Sequence, residues 1–102
     1  MREFKRMRPK MDAGYGISSS EAGMLDWAWV DAHMTDSRNY WIVSTRKEGA
    51  PHAAPVWGVW IDGALYWSSS PHAVKARNLL NNPQVVVHLE SGDEVVILEG
   101  RA

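Results

Sequence analysis

Three short turn signals divide the second half of the chain into segments of β-strand character. The turns are Lys47-Glu48-Gly49, Asp62-Gly63 and Ser91-Gly92-Asp93. An Asp-Gly pair between apolar segments is a strong hairpin signal. The flanking segments are rich in aromatic and β-branched residues, which is typical of strands. Predicted strands cover residues 40–45, 52–60, 64–69, 84–90 and 94–102. Because three of the four connections are tight hairpins, the sequence predicts a mostly antiparallel sheet.

The second predicted strand is irregular. Pro55 has no N–H to donate to a neighbouring strand, so it belongs at an edge or a bulge. Gly58 allows another group to approach the backbone closely. The second and third strands are also apolar on both sides. A sheet that curls into a small barrel accounts for such strands better than an open sheet with one wet face.

Two helices accompany the strands. The stretch SSSEAGMLDWAWVDAHMTDS starts with a capping box, Ser18 and Glu21, and should end near residues 36–39. Its predicted apolar stripe consists of Leu25, Ala28, Trp29 and Ala32. After the third strand, Ser70 and Pro71 suit the cap and first position of a short helix over 72–80. The predicted class is therefore mainly β (α+β).

The length of 102 residues corresponds to one domain, which we place at residues 18–102. Residues 1–17 are predicted to form a flexible arm, and the first ten contain five basic residues and one acid. The arm is either a solvated terminus or a contact for an acidic partner. Because residues 11–102 contain only six basic residues, a nucleic-acid partner is not expected. The chain ends just after a strand, so it is either a truncated copy of a longer protein or is completed by a second subunit.

The amino-acid composition also argues against several kinds of site. The chain has no cysteine, which removes disulfides and thiolate catalysis. It has no apolar run long enough to span a membrane, so we expect no membrane partner and a cytoplasmic location. The four histidines do not pair at helical spacing, so no metal site is expected. No serine, histidine and acid constellation can be argued either.

Residues 68–75, here called the joint, connect the third strand to the second helix. They begin with Ser68, Ser69 and Ser70 and end with Lys75. A helix N-terminus carries free N–H groups and attracts anions. Asn78 lies three residues after Lys75 and so shares its helix face. The joint is therefore a candidate phosphate site; the alternative is a capped surface helix with ordinary exposed charges.

The stretch GAPHAAPVWGVWIDGALYWSSSPHAVKARNLLNNPQVVVHLE resembles the pyridoxamine 5′-phosphate oxidase-like split β-barrels, which bind FMN or the deazaflavin coenzyme F420. The matching pieces are the Gly-Ala-Pro-His turn, the Pro-Val-Trp strand, the Asp-Gly hairpin, the joint with its Lys-Ala-Arg-Asn-Leu continuation, and the terminal Glu-Gly-Arg-Ala. The resemblance covers about Trp27 to Ala102. It implies an antiparallel split β-barrel that forms a homodimer with the cofactor at the subunit interface.

The resemblance also implies which residues hold the cofactor. The phosphate would be bound by Lys75, Ser68 and Ser69. The ring system would lie against Ala54, Pro55, Val56 and Trp57, with Pro55 and Gly58 leaving room for it. Trp57 is therefore predicted either to stack on the ring or to pack in the core. His52 could face the cofactor, but a half-exposed histidine in the turn is the expectation.

Three positions depart from the oxidases that give the family its name. Those enzymes carry basic residues where this chain has Ala54, Val59 and Val74. The chain therefore looks more like the deazaflavin-using branch or like other FMN-binding relatives.

Three functions remain open at this stage. The first is an FMN- or F420-dependent oxidoreductase that transfers a hydride to or from a small organic substrate. The second is a non-catalytic protein that binds FMN, F420 or haem. The third is a structural dimer without a cofactor.

Overall fold

The computed structural model describes residues 25–102. The basic arm and the Ser18–Glu21 capping box lie outside the described residues. The elements in chain order are α1 (Trp27–Asp36), β1 (Asn39–Thr45), β2 (Pro51–Trp57), β3 (Val59–Ile61), β4 (Ala64–Tyr66), α2 (Val74–Asn81), β5 (Gln84–His88) and β6 (Ile97–Arg101).

The strands form two antiparallel sheets. One has four strands in the order β2-β1-β5-β6, and the other is the β3-β4 hairpin. Every strand pair is antiparallel, which confirms the predicted strand direction. Asp62 and Gly63 have φ values of +49° and +73°, as the predicted Asp-Gly hairpin requires. Pro55 lies on an edge strand, as expected. Residues 25–102 do not close the two sheets into one continuous barrel.

Gly58 divides the predicted second strand into β2 and β3. A Cβ atom at this position would lie 3.0 Å from the carbonyl oxygen of Tyr66, 3.0 Å from Leu65 Cδ1 and 3.2 Å from Tyr40 Cδ2. The expectation that Gly58 leaves room for a cofactor ring is therefore wrong. The space beside this glycine is filled by the chain itself, because β4 and Tyr40 pack directly against its backbone.

The core lies on one face of the four-stranded sheet, under α1 and the β3-β4 hairpin. Its buried apolar side chains are Met34, Tyr40, Ile42, Val56, Trp60, Val87, Leu89 and Val96. Alternation along β1 points Tyr40, Ile42 and Ser44 to this inner face. Trp60 closes the core from β3, and its indole N–H donates to Oδ1 of Asp31 on α1 at 2.7 Å.

Helix α1 uses a different face from the predicted one, although Trp29 of the predicted stripe also packs against the core. Leu25 is 55% exposed, and Ala28 and Ala32 are also exposed. Met34 is buried, and Trp27 and Val30 pack against the core. These three residues follow a spacing of three and four along the helix, and two of them have much larger side chains than the alanines of the predicted stripe. Apolar area therefore decided which face was buried.

The end of α1 is held by Tyr40. Its buried hydroxyl lies 2.6 Å from the carbonyl oxygen of Met34 and 2.9 Å from that of Ser37. Carbonyl groups at a helix C-terminus lack partners within the helix. Tyr40 thus connects the helix end to β1. Neither helix in the described part of the chain is long and apolar enough to cross a membrane.

Candidate functional site

The connection between β4 and α2 is longer and less regular than the sequence predicted. Strand β4 ends at Tyr66 and α2 begins at Val74, with Ala73 as an N-cap that makes no side-chain cap hydrogen bond. The predicted helix start at Ser70-Pro71 is wrong. Ser70 instead forms a turn before the helix: its Oγ accepts from the N–H of His72 at 3.2 Å, and its carbonyl oxygen accepts from the N–H of Ala73 at 3.1 Å.

Helix α2 is attached to the sheet by one buried polar contact. Asn78 is 7% exposed, and its Nδ2 donates to Oγ of Ser44 on β1 at 3.1 Å. Ser44 is also buried. The contact defines which side of α2 faces β1. Asn78 was predicted to bind the cofactor; the structure shows its amide nitrogen bonded to Ser44.

Lys75 lies one turn before Asn78, on the same side of the helix. Its side chain is half-buried and forms no ion pair or hydrogen bond with any residue in the range 25–102. Arg77, in contrast, is exposed. A half-buried amine without a partner is a suitable ligand for an anion, because it is partly desolvated already.

The serine hydroxyls of the joint are accessible. Ser68 and Ser69 are both exposed, and Ser69 Oγ donates to the carbonyl oxygen of Ser70 at 3.2 Å. Hydroxyl donors and one amine are the chemistry that a phosphate group requires. The residues present at the joint therefore fit the phosphate end of a flavin-type cofactor.

The residues predicted to contact the ring lie on two different faces of β2. Ala54 and Val56 point to the inner face, where Val56 is buried in the core. Pro55 and Trp57 point to the opposite face, and Trp57 is 71% exposed. One flat ring cannot contact all four side chains, because successive side chains of a strand point to opposite sides. The core interpretation of Trp57 is also wrong: its ring is exposed, with the Arg38 guanidinium 4.8 Å from its centroid.

His52 belongs to this region, although the sequence placed it in a turn. It lies within β2, pairs in register with Ser44 and is half-buried on the inner face. Its Nδ1 atom is buried and has no hydrogen-bond partner among the described residues. The residue composition around position 52 gave no signal for this; only the register shows that His52 is the neighbour of Ser44.

The outer face of the four-stranded sheet, turned away from the core, combines apolar side chains with polar ones such as Gln84, Glu99 and Arg101. Its apolar side chains are Trp41, Val43, Ala53, Pro55, Trp57, Val86 and Ile97. Trp41 stacks on His88 across the β1–β5 pair, with ring centroids 6.0 Å apart and planes inclined by 2°. Ile97 is 59% exposed. An exposed apolar sheet face of this kind is typical of a protein interface.

Two open concavities were found in the described region. One, of about 500 Å³, lies between the end of α1 and the β5–β6 loop, where His33 Nε2 and Glu94 Oε2 are 3.3 Å apart. The other, of about 540 Å³, lies beside β1, β5 and β6. Neither is lined by Lys75, Ser68 or Ser69. No three metal-ligating side chains come together within residues 25–102.

Comparison with known proteins adds evidence from outside the chain. Residues 30–102 match the sequence model of a family described as pyridoxamine 5′-phosphate oxidase. No match was found among curated proteins.

Several solved structures are similar. The conserved hypothetical protein Rv2991 from Mycobacterium tuberculosis is 26% identical, with a TM-score of 0.71 over 83% of this chain and 56% of that one. A FAD-binding protein, mll6688 from Mesorhizobium loti, is 27% identical, with a TM-score of 0.65 over 76% of this chain and 59% of that one.

An F420 reductase is 19% identical, with a TM-score of 0.64 over 70% of this chain and 59% of that one, and at this identity the likeness shows the fold alone. These likenesses confirm the predicted split-barrel fold class. The chain spans 56 to 59% of the length of the three structures.

Proposed function

Since this chain belongs to the pyridoxamine 5′-phosphate oxidase family, we propose that it is an oxidoreductase that binds FMN or F420 between two copies of itself. The similar structures include a FAD-binding protein. For a member of this family, the residues of the joint are best suited to the phosphate group of a flavin-type cofactor.

The proposal rests mainly on the environment of the Lys75 side chain. This side chain is half-buried and has no partner within residues 25–102, and the exposed Ser68 and Ser69 belong to the same joint. The Asn78–Ser44 hydrogen bond keeps its helix on the sheet. These observations support a site at which a phosphate group would neutralise the amine.

A second copy of the chain is the proposed partner. Neither of the two concavities described above is lined by a proposed ligand of the joint. The apolar outer face includes Trp57, which is 71% exposed. A copy seated on this face would bury that surface.

The chemistry would come from the cofactor, which accepts or delivers a hydride when bound. The chain's own residues would hold the phosphate, orient the ring beside β2 and exclude water. None of the proposed ligands at the joint or on β2 is a carboxylic acid. This favours transfer to a small organic substrate that needs little acid or base from the protein.

The same lack of an acid favours a second candidate, a protein that holds FMN, F420 or haem without turnover. Assays of the purified protein with reduced cofactor and a quinone or an enone separate the two. Reduction of the substrate supports the oxidoreductase. Tight binding without turnover supports the cofactor-holding protein.

Binding is tested by titrating the purified protein with FMN and with F420 and following fluorescence. Lys75→Ala should weaken binding by about 1.5–3 kcal/mol, because it removes a charge-assisted hydrogen bond to phosphate. Arg77→Ala is the matched control, an exposed cation on the same helix. An unchanged dissociation constant for Lys75→Ala would exclude the proposed phosphate role.

A further inference from the structure

The buried nitrogen of His52 has no partner. Its Nδ1 atom is shielded from solvent and makes no hydrogen bond with the described residues, although the side chain as a whole is only half-buried. Buried polar atoms in folded proteins are nearly always hydrogen-bonded, and an exception calls for a ligand, an ion or a water. Among the described residues that are not exposed, His52 Nδ1 is the only buried side-chain nitrogen or oxygen atom without a hydrogen-bond partner.

The register places His52 near α2. His52 of β2 is directly opposite Ser44 of β1, and Ser44 accepts the hydrogen bond from Asn78 of α2. Opposed residues of antiparallel strands have Cβ atoms about 5 Å apart, so the imidazole lies close to the point where α2 is attached. Lys75 is one helical turn from Asn78 on the same side. His52 and Lys75 are thus both neighbours of the Asn78–Ser44 contact.

The proposed ligands also carry too little positive charge to neutralise a phosphate group. Lys75 is the only cationic residue among the proposed ligands of the joint and β2. A phosphate monoester carries up to two negative charges and three strongly accepting oxygens, so one amine and two hydroxyls leave accepting capacity unused. His52 is the only residue of β2 with a side-chain N–H donor on the inner face.

We propose that His52 is a second phosphate ligand: its Nδ1–H donates a hydrogen bond to a phosphate oxygen of the bound cofactor, beside Lys75. This rests on the proposed cofactor function. The inference goes further, because it states that His52 recognises the phosphate end of the cofactor and not the ring.

The test compares each cofactor with its counterpart that lacks the phosphate: FMN with riboflavin, and F420 with the deazaflavin chromophore that lacks the phosphodiester tail. His52→Phe keeps a flat ring and removes the donor. It should weaken binding of the phosphorylated member about tenfold or more, the usual loss for a hydrogen bond to a charged group, and leave the other member unchanged.

His52→Asn restores a donor near the Nδ1 position and should recover most of the affinity. His33→Phe is the matched control, because His33 is a half-buried histidine near the end of α1 and is not part of the joint. Equal losses for FMN and riboflavin would overturn the phosphate assignment. So would an unchanged FMN affinity in His52→Phe.

The unfolding free energy of the cofactor-free protein provides a second readout. If the partner of Nδ1 is the cofactor, His52→Phe should not destabilise the cofactor-free protein. A destabilised variant with normal FMN affinity would show that the partner is structural, and the inference would be wrong. If Lys75→Ala weakens binding while His52→Phe does not, the inference fails and the proposed function stands. If the unmodified protein binds neither cofactor, the proposed function fails as well.

Discussion

Asn78 Nδ2 lies 3.1 Å from Ser44 Oγ, and this buried hydrogen bond joins α2 to β1 across 34 positions of the sequence. No other side chain of α2 donates or accepts a hydrogen bond across to the sheet in the described part of the chain. The contact therefore sets the position of the whole helix, and with it the position of Lys75. Stability and cofactor affinity should depend on it together.

Asn78→Leu should lower the free energy of unfolding by about 1–3 kcal/mol, because it leaves the buried Ser44 hydroxyl without its partner. Denaturant titration measures this loss. The double variant with Ser44→Ala should be less destabilised than the sum of the two single variants, since it removes both polar groups. Strict additivity in that cycle would show that the hydrogen bond contributes little. The dissociation constant for FMN or F420 should rise in Asn78→Leu as well.

Gly58→Ala should destabilise the fold by about 1–3 kcal/mol, the usual cost of overpacking. The added methyl group would lie 3.0 Å from the backbone oxygen of Tyr66, which cannot move aside as a flexible side chain could. Gly100→Ala is the control, since its Cβ would meet nothing within 4 Å. Thermal unfolding measures the stability of both variants. If Gly58→Ala is as stable as Gly100→Ala, the close approach of β4 to Gly58 is contradicted.

Burial raises the pKa of the Tyr40 phenol above its ordinary value of 10.0. The folded state therefore retains this proton at pH values where the unfolded chain loses it. The stability that results is complete below about pH 10 and is lost as the pH rises through the folded-state pKa. Unfolding free energies measured between pH 8 and about pH 11.5 should thus decline at the alkaline end.

Tyr40→Phe should remove that part of the decline, because the titrating group is gone. The variant should also lose about 1 kcal/mol at neutral pH, since the hydroxyl no longer reaches the carbonyl groups at the end of α1. Tyr66→Phe, in which the altered phenol is 57% exposed, serves as the control. An alkaline decline as steep in Tyr40→Phe as in the unmodified protein would show that other groups cause it.

Trp57→Lys should weaken self-association. A charge within the proposed interface would have to be desolvated, and the lost tryptophan contact alone should cost about 2 kcal/mol or more. Sedimentation equilibrium measures the dissociation constant of the dimer. Leu80→Lys is the control, because Leu80 is 85% exposed on α2 and lies off the outer face. A protein that sediments as a monomer before any substitution would contradict the proposed partner.

The sequence suggested candidate site residues by their types, but it could not give the directions of their side chains. Lys75 was proposed because an amine near a helix start is a local feature, and within residues 25–102 this amine has no partner. The contacts of Asn78 and His52 could not be predicted, since both depend on which residues of β1 and β2 are opposed. The face of α1 was assigned wrongly, because helical spacing offered two apolar faces and the packing partners chose between them.

By itself the sequence determined the antiparallel hairpins and the presence of two helices, because turn residues and strand composition act over a few neighbouring positions. Only the tertiary structure decided that Gly58 separates two sheets, that Ser44 faces both Asn78 and His52, and that Trp57 is exposed. These relationships join residues distant in the chain. Their energies depend on burial and register, which no short stretch of sequence specifies.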